Sequence, residues 1–311
     1  MNVSEENMNR DALSNLFCKT RTRPLNGFYY AIDGTVGIGK TSKPEYIKSE
    51  LNSLGLYAKN IKKESNEAAE LGKIVFSYLK QNGRYQMCQG TNARTMSLLV
   101  QAYCNELYEK EIIPHLEAGG IVLCDRDDIL TISVLQPLVE LLHQETEEKN
   151  LFDRINDYFH WFSSIFFLPD LTTIIYGPVE SFLIRATSRD YEKKRLLYNA
   201  SEINLIRKSH DLFIWSARHR EHCHLVNFPF EDKVKVEEAI EILPPPERPF
   251  DQESFLKTCQ LHEMEKADNL VSLEILHLIL ERIRQKKLSG RYISGYNSNK
   301  LDEKLQLISK L

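Results

Sequence analysis

The sequence predicts an α/β fold. The expected architecture is a P-loop three-layer sandwich: a five-stranded parallel sheet with helices on both faces, plus a helical C-terminal extension. Three observations point there. Phe28-Tyr29-Tyr30-Ala31-Ile32 runs aromatic and β-branched residues together until a glycine-rich turn halts them, as a buried strand does. Four further short apolar runs are each followed by residues at helical spacing, and alternation of strand with helix builds a parallel sheet. Between the first strand and its helix stands Gly34-Thr35-Val36-Gly37-Ile38-Gly39-Lys40-Thr41, the G-x-x-x-x-G-K-T pattern of a phosphate-binding loop.

The elements follow in order. Residues 1–23 are polar and mixed in charge and read as a loose tail; the P-loop domain is expected over 24–243. Residues 40–54 carry Tyr46, Ile47, Leu51 and Leu54 at helical spacing, with Gly55 as a C-cap. Tyr57 to Ile61 reads as the second strand. Helices are expected over 70–80 and 92–117, the latter closed by Gly119-Gly120 before the strand Ile121 to Cys124. Helices over 129–143 and 150–166 flank the charged run Glu145 to Lys149. Pro169 precedes the strand Leu171 to Tyr176, and helices over 179–187 and 198–217 bracket a basic segment. His224 to Phe228 is the last strand, and 231–243 the last helix of the domain.

Pro244-Pro245-Pro246-Glu247-Arg248-Pro249 is a stiff break. Beyond it, 244–311 reads as an accessory region: two amphipathic helices over 250–287, a loop over 289–298 and a short terminal helix. The Leu and Ile residues of 270–284 make either a homodimer face or a cap on the parent domain.

The chain's 311 residues suffice for one such domain, of roughly 200–220 residues, and an appendage. Its net charge of −4 has the wrong sign for bulk attraction to nucleic acid. An anionic ligand must therefore be met by local bases. The six cysteines, at Cys18, Cys88, Cys104, Cys124, Cys223 and Cys259, are widely spaced and form no C-x-x-C pair. Reduced thiols and a cytoplasmic location are expected rather than a disulfide framework. The N-terminus has no apolar h-region, and the longest bulky run, Ile165 to Leu168, is too short to span a bilayer. No membrane partner is expected.

The loop carries the chemistry. Its glycines let the backbone wrap closely enough for several N–H groups to face phosphate oxygens, and the next helix adds its positive end. Gly34, Thr35, Val36, Gly37, Ile38, Gly39, Lys40, Thr41 and Ser42 are the expected ATP contacts. Lys40 reaches the β- and γ-phosphates, and the Thr41 hydroxyl ligates Mg²⁺. Asp125-Arg126 ends the third strand, where ligands bind in open α/β sheets. Asp125 there holds Mg²⁺ or takes a proton from an attacking oxygen, and Arg126 clamps a transferring phosphoryl group.

The segment Leu98-Leu99-Val100-Gln101-Ala102-Tyr103, then Ile112-Ile113-Pro114-His115-Leu116-Glu117-Ala118-Gly119 through Cys124-Asp125-Arg126, resembles the thymidylate kinase family. That family shows L-L-F-A-A, then I-x-P-x-L-x-x-G, a short strand and D-R-Y. Pro169-Asp170-Leu171 and Leu225-Val226-Asn227-Phe228 are similar to its later strands. The resemblance covers roughly 26–243. It implies an ATP- and Mg²⁺-dependent nucleoside monophosphate kinase, dTMP being the first acceptor, with a small-molecule nucleotide or nucleoside as partner. It also implies a basic lid over Arg185 to Arg195. Arg185 and Lys193 would then contact ATP, and Arg189 would act on the transferring group, because Gly37 stands where some members carry a P-loop arginine. Glu64, Arg94 and Arg126 are the expected acceptor contacts.

The sequence departs from the family at four places. Val36 replaces an acid, Asp127 the tyrosine of D-R-Y, and Cys104 the arginine that grips the acceptor phosphate; Ser65 replaces a proline. Two rival readings therefore stand beside the monophosphate kinase. One is a deoxynucleoside kinase with Asp125 as base. The other is a catalytically silent ATP-binding protein whose C-terminal region engages a partner. His219, His222, Cys223 and His224 match no common zinc spacing. Trp161 with Phe159, Phe162, Phe166 and Phe167 reads as core more readily than as a base-stacking pocket.

Overall fold

The computed structural model describes residues 26–61, 93–142, 146–192, 198–245, 249–261, 263–286, 288 and 298–310. Five strands form one parallel sheet: β1 (Phe28–Asp33), β2 (Ala58–Ile61), β3 (Ile121–Asp125), β4 (Leu171–Tyr176) and β5 (Cys223–Asn227), in the order β2-β3-β1-β4-β5. From β1 the chain passes to the edge strand β2, returns through β3 beside β1, and then crosses to β4 and β5 on the other side. The C-terminal ends of β1 and β3 thus form the crevice where the strand order reverses. The register fixes the neighbours there: Ile32 lies opposite Asp125, and Asp33 opposite Ile174.

Alternation along the strands sorts the two faces. Phe28, Tyr30 and Ile32, with Ile121 and Leu123, face one core; Tyr29 and Ala31, with Val122 and Cys124, face the other. The second face is covered by α2 (Ala93–Leu107), α3 (Ile113–Glu117), α4 (Asp128–Leu142) and α5 (Leu151–Ile165). On the first lie α1 (Lys43–Ser53), α6 (Val179–Glu192), α8 (Val236–Glu241), α9 (Gln252–Thr258), α10 (Met264–Lys286) and α11 (Ser298–Ile308). Between them at the β5 edge runs α7 (Ala200–Arg218), which contributes to both cores. Its start is a capping box: Asn199 and Glu202 each accept the other's backbone N–H.

The expected elements shift in several places. The first helix begins at Lys43 rather than 40, with residues 40–42 in turns and Pro44 in its first turn, where no donor is lost. The helix expected over 92–117 runs without a gap from Ala93 to Glu117, but not as α-helix throughout. A π turn at Tyr108–Ile112 absorbs one residue before Pro114 starts α3. That turn aims the Tyr108 hydroxyl at the Tyr29 hydroxyl, 2.9 Å away. The helix expected over 231–243 is only Val236–Glu241, because Asp232 instead caps α6, accepting from Ser181 N at 2.8 Å. The helix expected to end at 187 runs on to Glu192, so Ser188 to Glu192 are its last turn and more. β2 starts one residue later than expected, β5 lies one residue earlier at both ends, and β1 and β3 each run one residue further. The helix expected over 70–80 lies outside the described residues.

Residues beyond the proline break join the main core. Val271, Ile275, Leu276, Ile279, Leu280 and Ile283 of α10 are all at most 3% exposed and pack with Phe28, Tyr30 and Ile32. At roughly 1.5–3 kcal/mol per buried aliphatic side chain, this stripe is a structural layer of the sheet. α10 runs from the loop end of the sheet to its opposite edge, where Lys286 binds Asp170 at 2.6 Å just before β4. The aromatic stripe of α5 likewise divides: Phe159, Phe162 and Phe166 are core, while Trp161 is 47% exposed.

Candidate functional site

The G-x-x-x-x-G-K-T segment lies where β1 turns into α1. Gly34, Gly37 and Gly39 have φ of +123°, +85° and +82°, a region side-chain-bearing residues seldom enter. Gly37 is fixed twice over, since a Cβ there would lie 2.0 Å from the Phe182 carbonyl oxygen of α6. A P-loop arginine cannot be accommodated at that position. Lys40 is 7% exposed, and its Nζ donates to the carbonyls of Gly34 at 3.0 Å and Thr35 at 2.5 Å. Burial, then Arg126, pull its ammonium down to about 7, with Asp125 and Asp33 opposing. The Thr35 hydroxyl is buried without a hydrogen-bond partner.

Two strand ends converge on the loop. Thr41 Oγ1 donates to Asp125 Oδ2 at 2.7 Å. Arg126 follows with φ +90° and donates its backbone N–H to Ile32 O at 2.9 Å. A non-glycine residue held there costs about 1–3 kcal/mol, and such strain collects at functional sites. It leaves Arg126 exposed, with its charge acting on both Asp33 and Lys40.

Asp33 was not singled out from the sequence. It is fully buried, and accepts from the Gly34 N–H at 2.8 Å and from the Thr131 hydroxyl of α4. Burial raises its carboxyl to about 6, against the pull of Arg126 and Lys40. Strand parity could have found it, since an acid in step with Tyr29 and Ala31 must enter the α4 face.

The remaining expected residues are placed as follows. Arg189, on α6, bonds Asp190 at 3.3 Å, and its charge is felt at Lys40. Arg185 turns to Asp268 of α10 at 2.5 Å. Ser42 donates its hydroxyl to Gly39 O at 3.1 Å. Val36 packs, partly buried, against the first core, and Ile38 is fully buried in it. The backbone of Arg94 is in the first turn of α2; its side chain, Glu64, Lys193 and Arg195 lie outside the described residues. Cys104 is 1% exposed inside the second core.

Asp127 leaves the site altogether. It turns under the sheet, accepting from Thr172 Oγ1 at 2.7 Å and Leu130 N at 3.1 Å, with His222 Nε2 3.3 Å away. Burial raises its carboxyl, but these hydrogen bonds outweigh it and hold it below the ordinary value. His222 is thus drawn to Asp127, while His219 donates Nδ1–H to Trp215 O at 2.7 Å and His224 is exposed. Among the described residues no three His, Cys, Asp or Glu side chains gather as a metal site. Among the described residues Cys104, Cys124, Cys223 and Cys259 are in no disulfide.

The ends of β4 and β5 border an open surface depression of about 630 Å³ lined by Gly177, Asn227, Phe228, Phe230, Glu231 and Glu263, among others. Mg²⁺ takes oxygen donors and keeps few protein ligands, the rest coming from water and phosphate. The Thr41 hydroxyl and the Asp125 carboxylate fit that requirement.

Sheet order, loop and strand-end acid together define a P-loop, kinase-like α/β protein. Within that class the chain is similar in sequence to a thymidylate kinase. It is 29% identical over 175 residues, 55% of its length and 78% of the relative's, to a thymidylate kinase of Chlamydia felis (strain Fe/C-56). The crystal structure of thymidylate kinase from Ehrlichia chaffeensis aligns with a TM-score of 0.45 at 19% identity, over 81% of this chain and 98% of that one. No protein-family model matches the chain. No helix of the described residues is long and apolar enough to cross a membrane.

Proposed function

We propose that the chain binds ATP and Mg²⁺ at the loop and transfers the γ-phosphoryl group to a nucleoside monophosphate, dTMP first. The observation that carries this reading is the Thr41–Asp125 hydrogen bond, which joins the loop to the end of the neighbouring strand. Lys40 exchanges its internal carbonyl bonds for phosphate oxygens. Thr41 and Asp125 would hold Mg²⁺, which would supply charge neutralisation to the triphosphate. The base would lie in the depression at the ends of β4 and β5, where Phe230 supplies apolar surface and Glu231 an acceptor for amino groups. The bond from γ-phosphorus to the bridging oxygen breaks, and an acceptor oxygen forms the new P–O bond. Arg126 and Arg189 stabilise the charge on the group in transit. Arg126 and Arg94 meet the acceptor phosphate, and Glu64 its sugar or base.

One observation favours a nucleoside acceptor instead. Cys104 is buried in the core, so α2 presents no cation there for an acceptor phosphate. Asp125 would then act as base on a sugar hydroxyl. Incubation with ATP, Mg²⁺ and a panel of nucleosides and monophosphates tests both. Labelled dTDP supports the first reading, and a labelled monophosphate the second. ATP binding with no product from any acceptor overturns both in favour of a silent nucleotide-binding protein.

A further inference from the structure

Three elements distant in sequence meet behind the phosphate loop. Lys43, 2% exposed at the start of α1, donates its ammonium to the Ile38 carbonyl of the loop at 3.0 Å and to Asp268 of α10. The other oxygen of Asp268 takes Arg185 of α6 at 2.5 Å. The trio presses directly on the loop: a Cβ on Gly39 would lie 2.7 Å from Lys43 Nζ and 3.4 Å from Asp268 Oδ1. One carboxylate thus ties the loop, the arginine helix and the C-terminal helix together.

We propose that Asp268 is a positioning residue of the nucleotide site, through which α10 sets the shape of the phosphate loop; this rests on the ATP-binding reading above. A P-loop works because its N–H groups are aligned before the ligand arrives. The Ile38 carbonyl is held from below by Lys43, and Lys43 is held by Asp268. Without the acid, Lys43 and Arg185 are left as two neighbouring cations with no anion between them. They separate, and the loop loses its floor. Burial depresses the Lys43 ammonium, and the Asp268 carboxylate opposes that.

Asp268→Asn keeps the side chain's shape and removes its charge. Binding of a fluorescent ATP analogue to the full chain should weaken roughly 10-fold, the scale of one charged hydrogen bond. Asp268→Glu should recover part of that loss, and Arg185→Gln should weaken binding less when Asp268 is already Asn. A purely structural role would lower the melting temperature with affinity unchanged, and that result overturns the proposal. Should Asp268→Asn fail to fold, hydrogen exchange on the wild-type chain decides. The ATP analogue should protect amides of 264–272 as well as those of 34–43, and protection confined to the loop overturns the proposal. A wild-type chain that binds no analogue would instead overturn the ATP-binding reading and this proposal with it.

Discussion

Thr41 and Asp125, 84 positions apart, share a hydrogen bond of 2.7 Å that links the phosphate loop to the end of β3. Thr41 is the last residue of the loop motif, and Asp125 the last of its strand. Parallel pairing of β1 with β3 sets the two ends at one level, Ile32 opposite Asp125. Two oxygen donors of this kind act on a hard cation as a unit. Thr41→Ala and Asp125→Asn should each weaken Mg²⁺-dependent nucleotide binding by roughly 10-fold. The double substitution should cost little more than either alone. Affinity titrations with and without Mg²⁺ measure this, and additive losses would separate the two residues.

Lys40 supports a prediction about protons. Its ammonium is held near 7 by burial and by Arg126. At pH 8 much of it is therefore neutral, and a triphosphate favours the charged form. ATP binding at pH 8 should take up protons, and affinity should fall as pH rises further. Calorimetry in buffers of different ionisation enthalpy reads the uptake directly. Lys40→Met should abolish it along with most of the affinity, and a heat independent of buffer would contradict the shift.

Gly37 cannot be converted to the arginine-bearing form of the loop. Its φ of +85° and the approach of Phe182 leave no room for a side chain. Gly37→Arg should destabilise the fold by about 2 kcal/mol or more and bind ATP poorly. A urea titration with a wild-type midpoint would show that α6 does not press on the loop.

Asp127 should affect stability and not chemistry. Its folded pKa is depressed below the ordinary 3.8. The stability it contributes is therefore fully present above about 3.8 and lost as pH falls through the lower folded value. Asp127→Asn should cost about 1–3 kcal/mol near neutral pH and flatten the acid limb of the stability profile. Nucleotide affinity should hold. A folded variant that loses affinity would return Asp127 to the site.

Arg189 is expected to act on the group in transit. Its charge is felt at Lys40, although its own bond is to Asp190. Arg189→Ala should lower kcat by roughly 10²-fold while leaving the KM for ATP nearly unchanged. Normal turnover would move that role elsewhere.

Much of this was legible in the chain because it is local. Strand runs such as Phe28 to Ile32, the loop motif and the Asp125-Arg126 pair are contiguous, and their spacing alone implies strand, anion cradle and strand-end site. Alternation even assigns β1 residues to two faces. Element ends were less legible. Whether Asp232 continues a helix or caps α6, and whether a π turn precedes Pro114, depends on partners far away in sequence.

By itself the sequence determined the order of strands and helices and the presence of a phosphate-binding loop, since short-range periodicity and backbone sterics suffice for both. Only the tertiary structure decided which charges meet. Asp33 finds Thr131 across 98 positions, and Lys43 finds Asp268 across 225. Cys104 faces the core, Asp127 leaves the site, and the residues after the proline break become part of the main core. Such contacts depend on how each helix is rotated and seated against the sheet. Periodicity defines the apolar stripe of a helix but not the partner that the charged residue beside it will reach.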